Sequence, residues 1–238
     1  LFYKGRRSRL REASLHFDRH LDSAGGCGPA PERVRFFFSG AEVWSRAKTW
    51  PPGGAQFHTF HLRSRDPGPG LHTDAPLGAE PPDRYHHDPA HTRTEPIGAG
   101  GPPRSGMREE GLTYFGVPLV RRLCAVGDVR VELHVASSAP DSDFRACLLG
   151  VDPHGSYSEV CEGIVRCRWR GLDDSELQPR FLEAGEIVPL SIELGPVAHR
   201  FAPGHRIGLE ISSCGRPRFD CNPGSREDPA RTGAGEGQ

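Results

Sequence analysis

With 238 residues, 30 Lys and Arg against 31 Asp and Glu, and a formal charge of -1, the chain has length for one large domain or two small ones and no global field to draw in nucleic acid or an anionic membrane. No apolar run approaches the roughly 18 residues of a membrane span, and "LFYKGRRSRL" lacks the apolar stretch of a secretory signal, so the expectation is a soluble, cytoplasmic chain with no membrane or nucleic-acid partner. Seven cysteines (27, 124, 147, 161, 167, 214, 221), odd in number and without a C-x-x-C pair, predict thiols in a reducing compartment rather than disulfides.

In chain order, Leu10, Ala13, Phe17 and Leu21 fall at spacings of three and four, the stripe of an amphipathic helix, which "SAGG" at 23–26 stops. "VRFFF" (34–38) reads as a short strand, Trp44 follows, and "TWPPGG" marks a turn. "QFHTFHL" (56–62) is a further strand candidate. From residue 63 to about 110 the chain is rich in Pro, Gly, Asp and His without sustained periodicity and reads as an irregular linker. The pattern changes at Gly111. "LTYF", "VRVELHV", "FRACLLGV", "IVRCRWR", "IVPLSIEL" and "RIGLEIS" are short and mostly alternating, separated by "APDSD", "DPHG", "EAGE" and "APGH". Regular strands with turn signals and no intervening helix predict a mainly β fold, an antiparallel sandwich or jelly roll.

The polar constellations read as follows. "HRFAPGHRIGLEISS" (199–213) gathers His199, His205, Ser212 and Ser213, but on a strand His205 and Ser212 take opposite faces, so alternation explains them without a nucleophile and base. No G-x-S-x-G elbow occurs, and no catalytic residue is assigned. His86, His87, Asp88 and His91 crowd a proline-interrupted loop that matches no zinc spacing, and Asp141 and Asp143 lack a downstream Glu to complete a calcium loop. No metal and no cofactor is therefore expected. "RCRWR" (166–170) as a strand presents Arg166, Arg168 and Arg170 on one face, the solvated or domain-facing side, with Trp169 turned inward. In "GRPRFD" (215–220), Pro217 ends strand pairing, and an aromatic between Arg218 and Asp220 has the make-up of an interface anchor. Arg216, Arg218, Phe219 and Asp220 are the candidates for a domain interface.

The succession "GDVRVELHVASSAPDSDFRACLLGVDPHG", "CEGIVRCRWRG", "LEAGEIVPLSIELGPVAHRFAPGHRIGLEISS" and "GRPRFDCNPGS" resembles the C-terminal β-domain of the cocaine esterase and X-Pro dipeptidyl-peptidase (CocE/NonD) family of serine hydrolases. "LHFDRHLD", "VRFFFSGAEVW", "TWPP" and "EPPDRYHHDPAH" resemble the tail of that family's catalytic domain and its linker, whereas "SAGGCGP" departs from its longer, acidic turn. The resemblance implies a galactose-binding-like jelly roll at 111–225, preceded by an α/β-hydrolase remnant at 1–62 and a linker at 63–110, with a disordered tail at 226–238. It implies that the Ser, Asp and His triad lies before the helix that "LHFDRHLD" resembles, and that the partner is a missing N-terminal α/β-hydrolase domain. Phe219 is expected to dock on that domain. An autonomous carbohydrate-binding or interaction module is the alternative, and a homo-oligomer stays open. A first residue of Leu1, with Met107 as the only methionine, accords with a fragment.

Overall fold

Strands form where apolar residues alternate or where β-branched and aromatic residues run together, and turns where Gly, Pro and Asp interrupt them. The computed structural model describes residues 34–64, 70–90, 110–171, 178–216 and 218–227, together with positions 10, 11, 13, 14, 17 and 21. Those six positions are helical, as the stripe predicts. Ten strands follow: β1 (Val34–Phe38), β2 (Val43–Ala47), β3 (His61–Arg63), β4 (Gly70–His72), β5 (Gly111–Phe115), β6 (Leu123–Val135), β7 (Asp143–Val151), β8 (Tyr157–Arg166), β9 (Val188–Phe201) and β10 (Arg206–Ser212).

Two sheets make the sandwich. The larger has the order β3-β4-β5-β10-β7-β8 and the smaller is the antiparallel pair β6-β9. Every pairing is antiparallel except the single parallel step from Gly70 of β4 to Phe115 of β5. The inward residues are those the alternation selects: Val131 and Val135 from β6, Val188, Leu190 and Ile192 from β9, Ile207, Leu209 and Ile211 from β10, with Phe144 and Ala146 from β7. Within β9 the register slips, because Val129 faces Gly195 while Arg130 faces Glu193. Gly195 takes φ +80 there, a bulge conformation open to glycine, and Leu194 is the extra residue. Gly163 of β8 marks the closest approach of the sheets; a Cβ there would collide with the Glu193 carbonyl.

Several sequence expectations change. Of "QFHTFHL" only the end is strand, β3, and it pairs with β4 inside the stretch read as irregular. That stretch also docks. Leu71 is buried in the core, Tyr85 Oη lies 2.7 Å from Ser213 Oγ, and Tyr114 Oη donates to Asp83 at 2.8 Å. "RCRWR" is not a strand: β8 ends at Arg166 and Cys167–Trp169 forms a 3₁₀ turn, so Arg168 is buried and Trp169 is 41% exposed rather than turned inward. Finally, β10 is buried on both faces, not one: Ile207, Leu209 and Ile211 lie in the core, and on the other face Glu210 is covered by Arg145.

The outer face of the larger sheet explains how a charged strand can be central. Arg145 of β7 is buried, at 2% exposure, and its partners sit diagonally on both flanking strands. Its Nε donates to Glu162 of β8 at 2.6 Å and its Nη1 to Glu210 of β10 at 2.8 Å, while Nη2 reaches Glu159 of β8 at 3.4 Å. Cys147 lies between Glu210 and Glu162 in the same row, buried beside the guanidinium. Burial opposes the Arg145 charge, but Cys147, Glu162 and Glu210 outweigh it and raise its pKa. Removing the cation takes a buried counter-charge from Glu162 and Glu210, a change that costs about 3–5 kcal/mol. Arg145→Ala should lower the unfolding free energy in denaturant by that much, and Arg145→Ala with Glu162→Gln and Glu210→Gln should recover part of the loss. A single substitution within 1 kcal/mol of wild type, on the scale of about 0–1 kcal/mol for exposed pairs, would show that the triad is solvated.

Candidate domain interface

Each side chain around the 215–220 loop is placed by the end of β10 and by the polypeptide just beyond it. The loop closes on itself, with the N–H groups of Arg218 and Phe219 both donating to the Gly215 carbonyl, at 3.0 and 3.1 Å. Arg216 and Asp220 are exposed. Arg218 extends back along the sheet, its Nη1 donating to Glu162 Oε1 at 2.6 Å, so Glu162 is shared between a buried arginine and a half-exposed one. The Phe219 ring is half-buried, 5.4 Å from the Arg218 guanidinium, and lies over Gly215, where a Cβ would meet it at 2.8 Å. Of the four interface candidates, Arg216 and Asp220 thus face solvent, while Arg218 and Phe219 contact the larger sheet and their own loop.

Beyond the loop lies a buried cluster that the sequence reading treated as a turn. Asp141 and Asp143 are 0% and 3% exposed, and they hold arginines rather than a metal ion or their own backbone. Arg166 forms a two-pronged pair with Asp143, at 2.8 and 3.0 Å. Arg168 donates its backbone N–H and its Nε to the two oxygens of Asp141, at 2.9 and 2.6 Å. The Asn222 amide bridges both carboxylates at 2.7 and 2.8 Å, and its own oxygen accepts the Gly224 N–H. Arg168 then reaches the carbonyls of Ser225 and Glu227. Among the described residues no group of three or more His, Cys, Asp or Glu is arranged to hold a metal. In "YHHDPAH", His86 is exposed, Asp88 accepts the Ala90 N–H, His87 turns toward Cys221, and His91 lies outside the described residues.

The structure does bring a serine to a histidine, though not among the residues that proximity suggested. Ser39, at the tip of the β1-β2 hairpin, bridges to His199 of β9, with Ser39 N–H donating to Ala198 O and Arg200 N–H to Ser39 O. The neighbouring Gly40 is required, because a Cβ would strike the Arg200 carbonyl. Ser39 Oγ lies 2.8 Å from His199 Nδ1 and donates to Ala198 O at 3.2 Å. In the tautomer with its hydrogen on Nδ1, the hydroxyl donates to Ala198 O and accepts from the imidazole, which then holds no lone pair toward Oγ. The contact is a latch between hairpin and sandwich.

Burial, assisted by His205, pushes the His199 imidazole down to about 4 from its ordinary 6.5. The unfolded chain binds a proton in that interval that the folded chain refuses. The contribution is therefore complete above pH 6.5 and is lost as the pH falls toward 4. Across this window wild type should lose on the order of 2 kcal/mol more stability than His199→Gln, after discounting for partial solvent access. Parallel stability curves for the two proteins would contradict the latch. At Phe219, half-burial sets a loss of about 1–2 kcal/mol for Phe219→Ala in denaturant unfolding, below the 3–5 kcal/mol of a fully buried ring. A loss in that higher range would make it a core residue.

The chain is similar to known proteins over most of its length. The family description "X-Pro dipeptidyl-peptidase C-terminal non-catalytic domain" matches residues 28–235. The chain is 32% identical over 225 residues to cocaine esterase of Rhodococcus sp. (strain MB1 Bresler), which covers 87% of this chain but only 38% of that enzyme. In fold it is similar to an aminopeptidase from a marine sediment Thaumarchaeota archaeon, with TM-score 0.70 and 24% identity over 91% of this chain and 38% of the other. It is also similar to an α-amino acid ester hydrolase, with TM-score 0.68 and 23% identity over 90% of this chain and 39% of the other. The sandwich, the match over most of its length and the partial coverage of every one of these relatives agree: the chain belongs to the X-Pro dipeptidyl-peptidase C-terminal, non-catalytic domain family of CocE/NonD-type hydrolases.

Proposed function

We propose that this chain buttresses an α/β-hydrolase domain that carries a Ser, Asp and His triad, and that the assembled protein cleaves acyl esters or X-Pro peptides. The observation that carries the reading is the apolar surface ahead of the sandwich. Leu10, Phe17 and Leu21 are 64%, 57% and 76% exposed on one helical stripe, and Trp44, Phe57 and Phe60 add aromatic surface in the segment that resembles a catalytic-domain tail. Apolar groups gathered in this way fit a docking face better than a solvated one. The sandwich, by contrast, has its own core and its own buried ion pairs.

On this reading the helix ahead of residue 28 packs on the hydrolase domain, the β1-β2 hairpin, latched to β9, belongs with the sandwich, and 111–225 form the supporting jelly roll, to which β3 and β4 add an edge. Arg216 and Asp220, exposed at the end of the larger sheet, supply rim charges for the contact. A cytoplasmic setting accords with the thiols of Cys147 and Cys167, and among the described residues no helix is long and apolar enough to cross a membrane. Trp169, exposed beside Arg170, is the one feature of the sandwich that suits a sugar-binding surface, but it stands without a second exposed aromatic in that turn.

Fusing the catalytic domain of the Rhodococcus relative ahead of this chain tests the proposal. The isolated chain should show no serine labelling by a fluorophosphonate, whereas the fusion should be labelled at one serine and hydrolyse an aryl ester. Phe17→Ala with Leu21→Ala should shorten the fusion's activity half-life several-fold while leaving the isolated chain's unfolding midpoint in place. Labelling of the isolated chain, or a fusion indifferent to those substitutions, would overturn the buttress; specific glycan binding by the isolated chain would favour the other module.

A further inference from the structure

Two thiols seven residues apart in sequence are in contact. Cys214 directly follows Ser213 at the end of β10 and is 6% exposed, whereas Cys221 is partly exposed and precedes Asn222. Their Sγ atoms are 3.0 Å apart. Both ends of this segment are anchored: Ser213 to Tyr85, and Asn222 to Asp141 and Asp143. The turn closed on Gly215 returns the chain between them. Beside the more accessible sulfur stands a base, since His87 Nε2 is 3.9 Å from Cys221 Sγ. On its other side, His87 Nδ1 is 3.8 Å from Glu110 Oε2, and it is buried with no hydrogen bond among the described residues.

We infer that Cys214 and Cys221 form a thiol–disulfide exchange site, with Cys221 as the attacking thiol, Cys214 as the resolving thiol and His87 as the base, for a low-molecular-weight disulfide as co-reactant. Cys221 gives its proton to His87 Nε2, and Glu110 stabilises the imidazolium. The Cys221 thiolate attacks one sulfur of the disulfide RSSR; the new bond joins Cys221 to SR, the S–S bond of RSSR breaks, and RS⁻ leaves, taking a proton. Cys214, losing its own proton, then attacks Cys221 Sγ, and a second RS⁻ departs and is protonated. The protein dithiol is oxidised to one disulfide and RSSR is reduced to two RSH. An exposed attacker backed by a buried resolver is the order this reaction requires, because the mixed disulfide must form at the surface and be expelled from within.

Three of the other thiols lie in the sandwich without such access. Cys161 and Cys167 are pushed up to about 12 and Cys147 is also raised, in each case mainly by burial, so these three remain thiols while Cys221 reacts. The product would tie the end of β10 to Asn222 and fix the loop that holds Arg218 against Glu162.

The test treats the whole chain with oxidised glutathione, blocks remaining thiols with an alkylating reagent and maps the peptides by mass. Wild type should yield a Cys214–Cys221 cross-link lighter by two hydrogens than the dithiol. Cys214→Ser should instead accumulate one glutathionyl group on Cys221, and His87→Gln should slow oxidation about tenfold, the scale expected when a thiolate loses its base. Circular dichroism of each variant reports its folding separately. The site is overturned if wild type keeps both thiols open to alkylation, if it stops at a glutathione adduct on Cys221, or if the cross-link joins other cysteines.

Discussion

A guanidinium cannot be buried at 2% exposure unless its charge is met, and meeting it at Arg145 takes carboxylates from both neighbouring strands. That requirement fixes the register of three strands at once. Glu210 and Glu162 both stand opposite Cys147, one on β10 and one on β8, and each reaches diagonally to the arginine two residues away. A slip of one residue in either ladder would put a carboxylate on the inner face, among Ile207, Leu209 and Ile211, and leave the arginine unpaired. Apolar alternation says which face is inside; the charge triad says which residues stand opposite one another.

The same logic recurs where the sandwich meets the polypeptide that follows it. Asp141 and Asp143 enter from the start of β7, Arg166 and Arg168 from the end of β8, and Asn222 from beyond β10. With four buried polar side chains and the half-buried Arg166 satisfied by one another, none can leave without depriving its neighbours of a partner. The loop bearing Arg216, Arg218, Phe219 and Asp220 is thus held at both ends, by β10 and by Asn222. On the proposed buttress reading such rigidity favours docking, because less order is lost on contact.

The sandwich was legible because period-two alternation survives in a single sequence. Val129, Val131, Leu133 and Val135 share a face in the sequence and in β6, and Ile207, Leu209 and Ile211 do so in β10. The resemblance to the family carried the fold class and the relation to a hydrolase. Buried charge was not legible. Arg145, Glu210 and Asp141 look like solvated positions until their partners, 17 to 81 residues away, are brought beside them. A signal did exist for Arg145: Cys147 and Leu149, which share its face of β7, are apolar, an odd row for a lone charge. "RCRWR" misled because alternation continued past the point where Asp141 pulls the Arg168 backbone into a 3₁₀ turn. The Ser39–His199 and Cys221–His87 contacts span 160 and 134 residues, distances at which sequence proximity carries no information.

The position of β10 has a consequence for how the chain is made. It is the last strand among the described residues and lies within the larger sheet, paired on one side with β5 and on the other with β7. On a ribosome, β5 and β7 emerge well before the strand that joins them, so each presents an open hydrogen-bonding edge in the meantime. Arg145, too, waits for Glu210 with only its β8 partners in hand. The larger sheet therefore closes only once β10 has been made. Stop codons before residue 206 leave two half-sheets with facing open edges, prone to pair with other nascent copies rather than a slightly shortened domain.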